Sequence, residues 1–297
     1  MRRNRLLPVA ALAFAACGND ATMMMQPTPE TLSISLTPFT LQPGEEKIEC
    51  YYVPPDGKDK YFNEITVDMA PGSHHLVVMR ILDQQGMPAY GPQDCINGEM
   101  PNLNTIDGML PGSQQPHTEY SFPDGVGMRI SKDDGLWFQS HYINATNAPI
   151  TTAVTWKVTL IDQAKVTQQA GLIFWSDYGL KVTPGMSTAG QTCKAPADMS
   201  LLTATGHMHR RGIDFLAQTG GQTIFHTTNW AEPSGNLFPA PGFAIKQGDS
   251  VQYTCTYQND SNMTYTFGNS AINNEMCIFP ALYYPSANGD TLFFCQQ

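Results

Sequence analysis

Alternation of apolar and polar side chains is what most restricts the fold open to this chain. Val154, Trp156, Val158 and Leu160 alternate with Thr155, Lys157 and Thr159, and Val251, Tyr253, Cys255 and Tyr257 with Gln252, Thr254 and Thr256. A period of two turns one set toward a core and the other toward water, the mark of a half-buried strand. Turn signals punctuate such runs: Pro54-Pro55-Asp56-Gly57, Pro71-Gly72, Pro111-Gly112, Pro123-Asp124-Gly125 and Pro184-Gly185. No stretch of a dozen residues keeps a helical stripe. The expected fold is all-β, most simply sandwiches. A hydrophobic content of 41% fills a core and excludes a disordered chain.

The first residues read as an export signal. Arg2, Arg3 and Arg5 precede an apolar run, Leu6 to Ala16, that is too short to span a bilayer. Phe14-Ala15-Ala16-Cys17-Gly18 resembles a bacterial lipobox, in which Cys17 is acylated and becomes the new N-terminus. Residues 1–17 are therefore expected to be a signal peptide. Residues 18–30, including Met23-Met24-Met25, form a flexible tether. The expected location is the cell envelope, periplasm or surface, with a lipid anchor as the one membrane contact. The body, 297 residues less this leader, suits two domains. A polar piece, Asp162-Gln163-Ala164-Lys165, divides it into 31–163 and 164–297.

Charge and cysteine narrow the possibilities further. Losing the three leader arginines leaves 13 basic residues against 26 acidic ones, a balance of −13 that repels nucleic acid and anionic lipid. Without Cys17, six cysteines remain: Cys50, Cys95, Cys193, Cys255, Cys277 and Cys295. An even number in an exported chain implies three disulfides, with the pairing open.

Five of the seven histidines sit in informative contexts. His207 and His209, in Gly206-His207-Met208-His209, share one strand face and could chelate a metal. His74 and His75 are adjacent, so a regular strand would send them to opposite faces, although Pro71-Gly72 offers a bend just upstream. His141 shares a face with Trp137 and Gln139, and Gln139 could hydrogen-bond to a bound species or to His141 itself. Met276, in Asn273-Asn274-Glu275-Met276-Cys277, offers a soft thioether that favours Cu(I). Each taken alone also has a plain packing explanation. His117 and His226 fit no such pattern and read as surface or structural.

Taken in order, Gly72-Ser73-His74-His75, Phe138-Gln139-Ser140-His141-Tyr142, His207-Met208-His209-Arg210-Arg211-Gly212 and Glu275-Met276-Cys277, with Tyr283-Tyr284-Pro285 behind, resemble the copper type II, ascorbate-dependent monooxygenases. The resemblance implies two jelly-roll-like β-sandwich domains facing each other across a cleft, and two copper ions. His74, His75 and His141 would hold an electron-transfer copper in 31–163. His207, His209 and Met276 would hold the copper that meets O₂ in 164–297. It also implies the disulfides Cys50–Cys95, Cys193–Cys295 and Cys255–Cys277. The implied activity is hydroxylation of a C–H bond of a small organic substrate, with O₂ and ascorbate or another electron donor.

The substrate-reading residues of the peptide-processing branch do not carry over. Thr205 stands where that branch has Arg, and Ile278, Phe279 and Pro280 follow the Met motif where it has Asn and Tyr. A glycine-extended peptide is thus not the expected substrate, and Ile278 and Phe279 point to a more apolar pocket. A non-catalytic copper-buffering lipoprotein is the main alternative. A β-sandwich adhesion or carbohydrate-binding protein is the third.

Overall fold

The computed structural model describes residues 29–82, 93–95 and 105–295. The leader, Cys17 and Met23-Met24-Met25 lie outside the described residues, as does most of the tether. The described chain is all-β, with its strands gathered in several sheets. Among the described residues no helix is long and apolar enough to cross a membrane.

Two sheets dominate the first half. One carries, in order, Thr31–Ser35, Val154–Ile161, Lys60–Met69, Val126–Ile130 and Gln168–Gln169, with His117–Ser121 also paired to Lys60–Met69. The other carries Gln93–Asp94, Glu46–Val53, Asp134–Ile143, Ser73–Leu82 and Ile106–Ser113. They pack through one apolar core. Trp156 of the first sheet meets Phe138 of the second edge-on at 5.7 Å. The expected alternation is present: Val154, Trp156 and Val158 are buried, and Lys157 is exposed. Leu160 is only half-buried, because the ladder slips a register between Thr159 and Leu160.

The second half repeats the scheme. Met199–Ala204, Cys277–Tyr284 and Gly171–Ser176 form the centre of a seven-stranded sheet. Gly185–Lys194, Ser250–Asn259, Gly212–Thr219 and Gln222–Thr227 form a four-stranded one. Tyr253 from the latter stacks on Phe279 from the former at 6.1 Å. Apart from two small two-stranded sheets, Thr40–Leu41 with Ile150–Thr151 and Lys181–Val182 with Tyr265–Thr266, strands as far as Gln169 join the first pair of sheets, and strands from Gly171 onward join the second. Between them, Gln163–Lys165 forms a single 3₁₀ turn, with the Asp162 carboxylate accepting from the Ala164 N–H at 2.9 Å.

The structure joins Cys50 to Cys95, Cys193 to Cys295 and Cys255 to Cys277, the pairs the resemblance implies. The last pins the strand Ser250–Asn259 to the start of Cys277–Tyr284, next to Met276. Cross-links of this kind restrict the unfolded chain and fit an oxidising compartment.

Trp156 is 1% exposed and donates its indole N–H to the Pro111 carbonyl at 2.9 Å. Trp156→Ala removes this bond and leaves a large void. It should cost about 3–5 kcal/mol, read as a lower urea midpoint with an unchanged slope.

Candidate metal centre

A bulge resolves the problem of the adjacent histidines. Along the pairing of Ser73–Leu82 with Asp134–Ile143, His75 lies opposite His141 and Ser73 opposite Tyr142. His74 is therefore the extra residue, with no partner across the ladder. Gly72, at φ +90°, turns the chain into the bulge, and its carbonyl accepts from the Ile143 N–H at 2.7 Å. Both imidazoles are thereby buried in one place.

His207 and His209 reach the same place from the second half. The short strand His207–Met208 pairs with Cys277–Tyr284, and Met208 between the two histidines is buried in the core. Gly212 closes this loop. A Cβ there would come within 2.7 Å of the Met208 side chain, so only glycine fits unshifted.

The five imidazoles form one cluster. Ring centres of His75 and His207 are 4.9 Å apart, those of His74 and His75 5.0 Å, of His74 and His141 5.2 Å, and of His207 and His209 5.2 Å. Donor atoms of His74, His141 and His209 lie within 4.8 Å of one another, and so do those of His74, His75 and His207. This grouping differs from the two separate triads that the resemblance implies. The halves meet so closely that each compact triad takes nitrogens from both.

Each ring has one buried nitrogen without a partner: Nε2 of His74, His207 and His209, and Nδ1 of His75 and His141. For four rings the other nitrogen faces an oxygen. His74 Nδ1 donates to the Ala231 carbonyl at 3.2 Å, and His209 Nδ1 to the Asn274 carbonyl at 3.3 Å. His207 Nδ1 donates to Gln114 Oε1 at 2.5 Å, an orientation set by Gln114 Nε2 donating to the Gly206 carbonyl at 3.2 Å. His141 Nε2 donates to Glu46 Oε1 at 2.9 Å. An acceptor on one nitrogen leaves a lone pair on the other. The lone pairs then lie where no hydrogen reaches them, as metal ligation requires.

Electrostatics reinforce this arrangement. Burial, followed by repulsion from neighbouring imidazoles, holds His74, His75 and His209 well below the usual 6.5 and pushes His207 down to about 3. Imidazole lone pairs suit copper, and a thioether is a soft donor that favours its reduced form. Met276 lines a cavity together with His75, His207 and Gln139. Its backbone is fixed by the Cys255–Cys277 bridge and by Tyr257 Oη, which donates to the Met276 carbonyl at 2.7 Å. His117 and His226 lie outside the cluster, exposed and paired to Asp68 and Asp214.

Residues 238–297 match the family described as copper type II ascorbate-dependent monooxygenase, C-terminal domain. The Homo sapiens protein named "Putative DBH-like monooxygenase protein 2" is 26% identical over 252 residues, covering 77% of this chain and 49% of its own length. The Mus musculus "DBH-like monooxygenase protein 2" is 24% identical over 241 residues, covering 72% of this chain and 38% of its own. Over that C-terminal segment the chain is similar to the copper type II ascorbate-dependent monooxygenases. It spans about half the length, or less, of these curated relatives. Among solved structures, the major capsid protein P2 from Bacteriophage PM2 aligns over 88% of this chain and 100% of that one, at 9% identity and a TM-score of 0.33, too slight a likeness to inform the fold.

Within the segment matched to the monooxygenase family, Glu275 has a role that the motif alone did not disclose. Its carboxylate is fully buried and accepts from the backbone N–H of His209 at 3.1 Å and of Arg211 at 3.0 Å. The Arg211 guanidinium adds a bond at 3.2 Å and lies 3.3 Å over the Tyr265 ring. Glu275 thus ties the His207–Gly212 loop to the Met276 strand.

Glu46, Gln114, Ala231 and Trp230 were likewise not singled out from the sequence. Trp230 packs on His74 at 5.5 Å. Glu46 could have been found only with the strand register known: Ile48 faces His141, and Glu46 lies two residues along the same face. Phe279 is the reverse case. Alternation sends it into the core, and Ile278, Pro280 and Leu282 line the cavity.

Two outcomes follow for this centre. Glu275→Ala strands a buried guanidinium, so stability should fall by about 3–5 kcal/mol in urea melts. Copper affinity should weaken roughly 10–100-fold in competition titrations. Copper-free protein should also lose stability as pH drops below about 6.5, because the unfolded histidines take up protons before the folded ones. The loss should reach about 1.4 kcal/mol per pH unit for each such group. Urea midpoints at several pH values between 7.5 and 5 check both its sign and its slope.

Proposed function

We propose that the protein is a copper-dependent monooxygenase that hydroxylates a C–H bond of a small organic substrate. The balance is R–H + O₂ + 2e⁻ + 2H⁺ → R–OH + H₂O, with ascorbate or another one-electron donor supplying the electrons. The observation that carries this reading is the buried cluster in which five imidazoles each keep an unpartnered nitrogen, beside Met276 and a cavity. His74, His75, His141, His207, His209 and Met276 are the residues that would hold copper. Bound copper supplies one-electron redox chemistry and O₂ activation.

The chain's own groups do the rest. Glu46, Gln114 and the carbonyls of Ala231 and Asn274 fix four imidazoles in orientation and tautomer. Trp230 covers His74 from the second half. Gln139 lies on the cavity wall with His75 and Met276, where a bound substrate would be positioned. Two coppers, export and an anchor through Cys17 belong to the same proposal.

Copper-loaded protein with ascorbate should consume O₂ in step with hydroxylated product. Met276→Ala should reduce that coupled uptake roughly tenfold or more while the fold persists. Full copper occupancy without substrate-coupled uptake across a broad substrate panel would instead favour copper buffering.

A further inference from the structure

A cavity of about 830 Å³ opens beside His75, His207 and Met276. That is within the range of small-molecule sites, about 300–1,000 Å³. Both halves wall it with apolar side chains: Met109 and Leu110 from the first, Phe174, Ile278, Leu282 and Phe293 from the second. Among the described lining residues there is no lysine or arginine. The one carboxylate, Glu119, has a side chain 58% exposed, where water and salt screen it.

Two hydroxyls on the wall have no hydrogen-bond partner, Ser176 Oγ and Thr205 Oγ1. Ser176 is 4% exposed and lies opposite Ile278 in the ladder. Thr205 is held by its N–H, which donates to the Pro280 carbonyl at 3.0 Å. A buried polar atom left without a partner is costly and calls for an explanation. A hydroxyl can donate or accept, so either group could serve an alcohol or a carbonyl. A carboxylate entering here would find only the exposed His117, already paired with Asp68, and an ammonium only the solvated Glu119.

Building on the oxygenase reading, we propose that this cavity takes an uncharged, mainly apolar substrate whose single hydroxyl or carbonyl is held by Ser176 or Thr205, which flank the strand Cys277–Tyr284 on opposite sides. The apolar body fills the space between Met109, Phe174 and Leu282, and the polar end fixes which C–H faces the imidazole cluster.

Calorimetry on the copper-free full chain tests this with four probes of one size: 2-naphthalenemethanol, 2-methylnaphthalene, 2-naphthoate and 2-naphthylmethylamine. Omitting copper ensures that neither amine nor carboxylate binds a metal instead of the cavity. The alcohol should bind about three- to tenfold more tightly than the hydrocarbon, and roughly tenfold or more tightly than either charged probe. Of Ser176→Ala and the near-isosteric Thr205→Val, at least one should narrow the gap between alcohol and hydrocarbon, and both should leave the hydrocarbon's affinity in place. A charged probe that matches the alcohol, no binding of either neutral probe, or a gap that both variants leave intact overturns the proposal. Because nothing turns over, failure of the oxygenase reading would appear separately, as absent O₂ uptake with probe binding preserved.

Discussion

Five imidazoles crowd one buried space, where a charge on a ring meets both desolvation and its neighbours. Their ring centres lie about 5–6 Å apart, and four of them are held below the ordinary imidazole range by burial and by each other. A neutral imidazole has one N–H and one lone pair. The surrounding oxygens then decide which nitrogen has which, and for His74, His141, His207 and His209 they leave the lone pair inside the cluster. The remaining buried nitrogens are a standing energetic cost to the metal-free chain, and ligation is the chemistry that would remove it.

The same oxygens hold the two halves together. Glu46 belongs to the first half, yet its carboxylate accepts from Ser270 Oγ at 2.7 Å and from the Ala271 N–H at 2.6 Å in the second, as well as from His141. Burial raises the Glu46 carboxyl, but these donors outweigh it and leave it lowered overall. Gln114 crosses in the same direction to His207, and Ala231 crosses back to His74. Further from the cluster, Arg80 Nη2 donates to the Gly289 carbonyl at 3.0 Å. Neither half could assemble the cluster alone, since the orienting partners of His74 and His207 come from opposite halves.

Alternation in Val154–Leu160 and Val251–Tyr257 was enough to read strands, buried faces and an all-β fold, because a period of two is a local property. The ligand candidates were legible for a similar reason: His207 and His209 share a face by spacing alone. The His74 bulge was legible only as a requirement, that adjacent histidines need an irregular strand. Its form, one residue skipped opposite His141, depends on a partner strand about 65 residues away. Glu46 and Gln114 could not be read at all, because their neighbours are set by register and by how the halves dock. That docking also explains why the triads mix donors from both halves.

The strands that carry the candidate ligands also wall the cavity. After Met276 and Cys277, the strand Cys277–Tyr284 turns Ile278, Pro280 and Leu282 toward the cavity, and Phe279 and Tyr283 into the core. The strand Ser73–Leu82 follows His74 and His75 with Leu76 and Met79 on the cavity wall. The fixed parts are the bulge, the Glu275 clamp and the Glu46 bridge, all built from backbone and buried carboxylate. These fixed parts hold the candidate ligands in one place, whereas the cavity wall draws its side chains from both halves.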